Sequence, residues 1–388
     1  MDKLRPLLIL GTRPEAIKMA PVILACQARA DAVQPLVCLS GQHRHMARPI
    51  LDYFSITPDL DLDVMAENQT LASLTAKLVT ALDQLVTEHS PDCLVAQGDT
   101  ATVMTAAMIA FYRHVPFVHV EAGLRTGNLQ APWPEEFNRR VAGIVASLHC
   151  APTAGAAENL RREGVPDAQI SVTGNTVVDA LRMTIERERA NSAAWTKRHP
   201  NLAGAAPMCL ITAHRRENFG GGMENICQAI LQLSARFPEA QFLYPVHLNP
   251  NVRQPVNKLL GNQANVALLE PAAYPEFVWL MDRASVLLTD SGGVQEEAAS
   301  LDKPVVVMRE TTERPEVLDA TECYLVGSSV ERIVDTVSSV LERVGTDVTG
   351  KATDGDSGSA IIHSSLFGDG HAAERITDWM LKRIAGTK

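Results

Sequence analysis

The sequence predicts an α/β protein built from two doubly wound, parallel-sheet domains facing a cleft. Three observations predict it: short apolar runs rich in Val, Leu and Ile, helical patterns alternating with them, and a length of 388 residues. Strands buried on both faces read as continuous apolar runs, and strands that alternate with helices imply parallel pairing through crossovers. One hydrophobic core stops growing at roughly 250–300 residues, so a chain of this length divides.

In the first half, Leu7–Leu10, Pro35–Leu39, Cys93–Ala96 and Phe117–Val120 read as buried strands. Helical patterns occupy Glu15–Arg29, Leu71–Glu88, Ala101–Arg113 and Glu135–Ala146. The rhythm returns with strands at Met208–Thr212, Gln241–Pro245, Val266–Leu269, Val286–Thr289 and Pro304–Met308. Helices there include Met223–Phe237, Glu276–Arg283 and Val294–Ser300, and a last one spans His371–Ile384. Asn191–Pro207, with Pro200, Gly204 and Pro207, reads as a domain junction. Gly345–Ser365, rich in Gly, Ser, Thr and Asp, reads as a surface insertion.

A net charge of −10 argues against a nucleic-acid or anionic-membrane partner, so an anionic ligand must meet a local cluster of cations. The apolar run Leu7–Leu10 is too short for a signal peptide, and Cys93–Tyr112 is interrupted by Gly98 and Asp99, which excludes a membrane span. The seven cysteines include no CxxC pair and lie mostly in apolar segments, as expected of buried thiols in the cytoplasm.

Ligands of doubly wound sheets bind beyond the carboxyl ends of the strands, so the residues that follow each strand carry the functional reading. After the first strand, Thr12 can cap a helix and Pro14 can occupy its first turn. Arg13 and Lys18 then flank a helix N-terminus, where cations suit an anionic guest such as a diphosphate or stand simply as solvated charge. The loop is neither GxGxxG nor a Walker loop, which disfavours NAD and ATP. Asp99 and Glu121 each end a strongly apolar strand. Asp99 can equally cap the helix that follows, whereas Glu121, two residues before Gly123, has no helix to cap.

Pro132-Trp133-Pro134 leads into Glu135 and Arg139, whose i,i+4 spacing also suits a surface ion pair. His214 follows the Met208–Thr212 strand and can act as an acid or a phosphate donor. His43, His45 and His247 raise the question of metal, but no HExxH or Cys/His spacing accompanies them, so no metal is expected. The most specific pattern is Thr289-Asp290-Ser291-Gly292-Gly293, a strand running through bare glycines into a helix, where backbone N–H groups can close on a phosphate. Glu297 lies one turn further, placed for ribose hydroxyls, and Arg314 offers a further diphosphate partner.

The motifs GTRPEAIKMAP, GQHR, QGDT, HVEAGLRTGN, PWPEEFNRR, GNTVVDA, HRREN, YPVHLNP, TDSGGVQEE and TTERPE occur in the order seen in the non-hydrolysing UDP-N-acetylglucosamine 2-epimerases, and the chain resembles that family over nearly its whole length. The resemblance implies two Rossmann-like domains of the type B glycosyltransferase fold. Domain one spans 1–180 and is completed by a C-terminal helix over 371–388; the UDP-binding domain spans 181–370. It implies catalysis by Asp99, Glu121, Glu135 and His214, and UDP contacts from Arg13, Lys18, Phe277, Ser291, Gly292, Gly293, Glu297 and Arg314. The substrate would be a UDP-N-acetylhexosamine, with no redox cofactor and a homodimeric assembly.

Many bacterial members carry a second, activating UDP-GlcNAc site. Two of its expected positions hold His45 and Asn68, while Gln42, Arg215 and His247 remain, so saturation kinetics without strong sigmoidality are expected. A proton at C2 beside an acetamido group is only weakly acidic, so coupling its removal to departure of UDP avoids a bare carbanion. A 2,3-diacetamido uronic acid nucleotide epimerase, a type B glycosyltransferase and a UDP-sugar sensor share many of these motifs; the last two have no use for three clustered acids.

Overall fold

The computed structural model describes residues 3–42, 44–66, 69–202, 204, 206–311, 322–347 and 366–385. The chain forms two compact units, Met1–Ala180 with Phe367–Lys388, and Leu181–Leu366.

In the first unit, strands β1 (Pro6–Leu10), β2 (Leu36–Leu39), β3 (Leu60–Asp61), β4 (Cys93–Gln97), β5 (Phe117–Val120), β6 (Leu148–Ala151) and β7 (Ile170–Val172) are joined by helices. These are α1 (Arg13–Ala28), α2 (Arg44–Tyr53), α3 (Leu71–His89), α4 (Ala101–Tyr112), α5 (Glu135–Val145), α6 (Ala154–Arg162) and α7 (Thr176–Ala190), and the division between the units falls within α7. The strands form a parallel sheet in the order β3-β2-β1-β4-β5-β6-β7. Leu7 pairs with Leu36 on one side and Leu94 on the other, and every residue of β1 is buried, as a central strand covered on both faces must be.

The second unit repeats the plan. Strands β8 (Met208–Thr212), β9 (Gln241–Pro245), β10 (Val266–Leu269), β11 (Val286–Thr289), β12 (Val305–Val307) and β13 (Cys323–Leu325) lie parallel in the order β10-β9-β8-β11-β12-β13. Helices α8 (Ser192–Arg198), α9 (Gly221–Arg236), α10 (Pro250–Leu260), α11 (Tyr274–Arg283), α12 (Gly292–Ala299) and α13 (Val330–Asp347) belong to it. Alternate residues Cys209, Ile211, Phe242, Tyr244, Val286 and Leu288 share one core with the apolar stripe of α9. Each such side chain contributes about 1.5–3 kcal/mol by leaving water. Buried Tyr244 keeps its hydroxyl satisfied by donating to the Ala213 carbonyl, 3.0 Å away.

Both sheets reverse strand order at their middle, between β1 and β4 and between β8 and β11. Loops leaving such a reversal diverge and leave room for a ligand. Helix α1 begins there with a capping box: Thr12 Oγ1 accepts the Glu15 N–H, and Glu15 Oε2 accepts the Thr12 N–H at 2.6 Å. This helix is buried along most of its length because the last helix, α14 (Ala372–Arg383), packs on its outer side. There Arg29 meets Asp378 at 2.5 Å and Cys26 Sγ lies 3.7 Å from Thr377 Oγ1.

Two expectations are corrected. The stretch 191–207 is packed inside the second unit and is no linker. Pro200 follows the end of helix α8, while Trp195 stacks on Trp279 at 6.2 Å and gives its indole N–H to Glu188 at 2.7 Å. The start of the expected polar insertion, Gly345–Asp347, is helical as the end of α13; residues 348–365 lie outside the described residues. Among the described residues no helix is long and apolar enough to cross a membrane. All seven cysteines are buried and unbridged.

Candidate active site

The loops after β4 and β5 bring acidic groups together. Glu121, the first residue after β5, is buried and has a left-handed backbone, φ 61°, which a non-glycine residue adopts only where its surroundings impose it. Gly123, φ 90°, fixes the same turn: a Cβ there would lie 2.2 Å from the Ala156 carbonyl oxygen. The Glu121 carboxylate receives Lys18 Nζ at 2.6 Å, Asn175 Nδ2 at 3.2 Å and the side-chain amide of Gln97. Donors from α1, β4 and the start of α7 therefore converge on one acid.

Asp99 does not cap α4. Thr100 does, accepting the Val103 N–H at 3.3 Å, and this leaves Asp99 to other partners. Its Oδ2 accepts from Arg139 Nη2 at 2.5 Å, and its carbonyl accepts from Asn138 Nδ2 at 2.9 Å. Burial pushes the Asp99 carboxyl up to about 6; the Arg139 guanidinium opposes the rise, and the nearby charges of Glu121 and Glu135 add to it.

The i,i+4 ion pair available to Glu135 and Arg139 does not form, because Arg139 turns to Asp99. Glu135 Oε2 is buried with no hydrogen-bond partner among the described residues. Its neighbour Glu136 is spent on structure, accepting the N–H groups of Thr126 and Gly127 and the Arg140 side chain. Of two adjacent glutamates, one ties down the loop and the other keeps a buried carboxylate oxygen without such a partner.

At the end of β1, Arg13 is half-buried, with no hydrogen bond or ion pair to a described residue. Lys18, read from sequence as a diphosphate contact, stands 2.6 Å from the Glu121 carboxylate. Buried Glu15 accepts the N–H groups of Gly11 and Thr12 and the Thr100 hydroxyl, binding the starts of α1 and α4 together. Burial raises its carboxyl above the ordinary range against those hydrogen bonds. Gln42 accepts from the Thr102 hydroxyl at 3.0 Å.

In the second unit, His214 follows β8 and its ring stacks on His247, centroids 5.5 Å apart at 18°. Burial holds the His214 imidazole below its ordinary value, Asp290 opposes this, and His247 and Arg215 add to it. Asp290, absent from the sequence-derived set, is fully buried and takes the backbone N–H groups of His214 and Arg215 at 2.9 and 2.8 Å. The turn that follows is anchored by the Ser291 N–H on Thr289 Oγ1, 3.0 Å, and opens α12 at Gly292. A Cβ on Gly293 would meet open space, while Glu297 one turn on is buried. Phe277 is half-buried on α11. Arg314, Asn68 and His43 lie outside the described residues, as does the side chain of His45.

The structure thus brings together Asp99, Glu121, Glu135 and Lys18 in one unit, and His214, Arg215 and His247 in the other. Gln97, Arg139 and Asn175 were missed as partners, although all three sit inside motifs the sequence had singled out. Among the described residues no group of three His, Cys, Asp or Glu side chains is arranged to hold a metal ion.

Comparison with known proteins adds the following. A profile of the UDP-N-acetylglucosamine 2-epimerase family matches residues 10–381. A UDP-N-acetylglucosamine 2-epimerase from Yersinia pestis is 46% identical over 379 residues, 96% of this chain and 97% of that protein. The crystal structure of the Neisseria meningitidis UDP-GlcNAc 2-epimerase bound to UDP-GlcNAc superposes with a TM-score of 0.88 at 41% identity, covering 98% of this chain and all of that one. The Methanocaldococcus jannaschii UDP-GlcNAc 2-epimerase in complex with UDP-GlcNAc and UDP gives 0.78 at 29% identity, covering 98% and 100%.

Proposed function

The chain belongs to the UDP-N-acetylglucosamine 2-epimerase family of isomerases, and on that premise we propose that it inverts C2 of UDP-GlcNAc by eliminating and re-adding UDP. The step breaks the C2–H bond and the C1–oxygen bond together, giving 2-acetamidoglucal and UDP. A proton then returns to the other face of C2 as UDP re-adds at C1.

One carboxyl cannot reach both faces of a bound ring, so two must share the proton traffic. Glu121 and Asp99 take these parts, each a base in one direction and an acid in the other. The observation that carries this reading is the Glu121 carboxylate, clamped by Lys18, Gln97 and Asn175 beside an Asp99 carboxyl raised to about 6. Groups poised near neutrality exchange protons with least loss of driving force. The bare turn Ser291-Gly292-Gly293 at the start of α12 and Arg13 supply donors for the diphosphate, and Glu297 receives the ribose hydroxyls. His214 donates to the departing phosphate oxygen. A homodimer and a cytoplasmic setting belong to the same proposal, the first supported by the family resemblance and the second by seven buried thiols.

Incubation with UDP-GlcNAc in heavy water tests the mechanism. UDP-ManNAc carrying deuterium at C2 should form without net release of UDP, and heavy oxygen in the C1 bridge should scramble into the diphosphate. Retention of the C2 proton with an unscrambled bridge would refute elimination and re-addition.

A further inference from the structure

Asp290 is the first residue after β11 and is wholly buried. Its Oδ2 is filled by N–H donors: the backbone of His214 at 2.9 Å, the backbone of Arg215 at 2.8 Å and Asn218 Nδ2 at 3.0 Å. Asn218 is itself held, since the same amide reaches the Met308 carbonyl at 3.2 Å. The carboxylate therefore has one orientation. Its Oδ1 has no hydrogen-bond partner within ordinary distance, and His214 Nδ1 stands 3.5 Å from it. A buried carboxylate oxygen needs a proton donor, and an Nδ1–H on His214 is the one at hand.

We propose that Asp290 is the positioning residue of His214, fixing the imidazole proton on Nδ1 so that Nε2 is presented to the leaving phosphate. The inference rests on the reading of His214 as donor to that phosphate. With Nδ1–H bound to a carboxylate, Nε2 gains a proton readily and gives it up to a phosphate oxygen. The charged form is supported from one side only: Asp290 favours it, while stacked His247 and adjoining Arg215 disfavour it. Tyr244, another polar side chain near this carboxylate, is engaged on the Ala213 carbonyl. Because Asp290 also precedes Ser291, the residue that sets the histidine borders the turn assigned to the diphosphate.

Asp290→Asn separates this role from bracing. The asparagine Oδ1 can still accept the three N–H donors of the loop, but its NH2 then faces His214 Nδ1 and forces the ring proton onto Nε2. In the parent protein, nitrogen-15 NMR of His214 should show the Nδ1–H tautomer, and in the variant the Nε2–H tautomer. Loss of an adjacent opposite charge should lower the His214 pKa by about 1–3 units. The alkaline limb of kcat/KM, where His214 loses its proton, should move down by the same amount. At neutral pH kcat should fall about 100-fold while UDP affinity in calorimetry stays within about threefold.

An Nε2–H tautomer in the parent protein would overturn the inference whether or not the variant folds. A folded Asp290→Asn enzyme with the parent tautomer and an unmoved limb would overturn it as well. Equal losses of kcat and UDP affinity with an unmoved limb would make Asp290 a brace of the loop. Parent turnover in His214→Ala would remove the phosphate-donor reading itself, an outcome recognisable because it leaves the tautomer result intact.

Discussion

Replacing Lys18 by Met and Glu121 by Gln, singly and together, tests whether the ammonium belongs to the acid or to the diphosphate. The two charges stand 2.6 Å apart with side chains 11% and 5% exposed. At an effective dielectric of about 20, that separation gives a gross attraction of about 6 kcal/mol, from which the cost of drying both groups is subtracted. A net coupling of about 3 kcal/mol remains. Each single change leaves one buried charge facing a neutral group and should cost the first unit about 3 kcal/mol. The double variant should also lose about 3, well short of the additive 6. The left-handed backbone at position 121 cancels in the cycle, because Gln adopts it no more easily than Glu.

Because the chain has two compact units, hydrogen exchange on peptides from β4 and β5 is the proper assay, since it reads the first unit alone. Turnover should vanish in both single variants. UDP affinity should change less than about threefold in Lys18→Met, because losing a charge-assisted contact to the ligand would instead cost about 1.5–3 kcal/mol. Additive single losses would show that the pair is uncoupled. A collapse of UDP affinity in Lys18→Met would return the ammonium to the diphosphate.

Other consequences are simpler. Arg139→Met removes the cation that opposes the rise of the Asp99 carboxyl, so its titration midpoint in carbon-13 NMR should climb above 6; an unmoved midpoint would mean the 2.5 Å contact is absent in solution. Gly293→Ala should cost under about 0.5 kcal/mol of stability, because its Cβ meets open space, yet weaken UDP binding if a phosphate occupies that space. His119 and His149 are buried neighbours on β5 and β6, held by desolvation at about 3 and about 4 against an ordinary 6.5. The unfolded chain takes up their protons first, so the stability they contribute is complete above pH 6.5 and falls progressively below it. At pH 5 the loss is about 2 kcal/mol for each, and the pair His119→Gln and His149→Gln should flatten urea midpoints between pH 6.5 and 5.

Strands β5, β8, β9, β10 and β11 stand where the runs predicted, because large apolar residues dominate each of them. The edges were not. β3, β6, β7 and β13 are two to four residues long and include Asp61, His149, Ser171 and Tyr324, so no run of apolar residues marks them. Amphipathic α10 and α13 were passed over although their buried stripes, such as Val252, Val256 and Leu260, follow the helical period.

In the site, position along the chain was readable and partnership was not. Asp99, Glu121 and His214 could be singled out because each stands within two residues of the end of a buried strand. What each one faces depends on which strand ends lie side by side, and that follows from the order reversal at β1 and β4 and at β8 and β11. Lys18 reaches Glu121 across 103 positions of sequence, and His214 meets Asp290 across 76. A periodicity argument spans one helix or one strand and cannot see such pairs. Long-range placement also decides between the two readings of Glu135 and Arg139. Helical spacing offered an ion pair worth a few tenths of a kcal/mol on an exposed face. The fold offered Arg139 a largely buried aspartate 2.5 Å away, where low polarity makes each contact stronger, and the longer-range partner won.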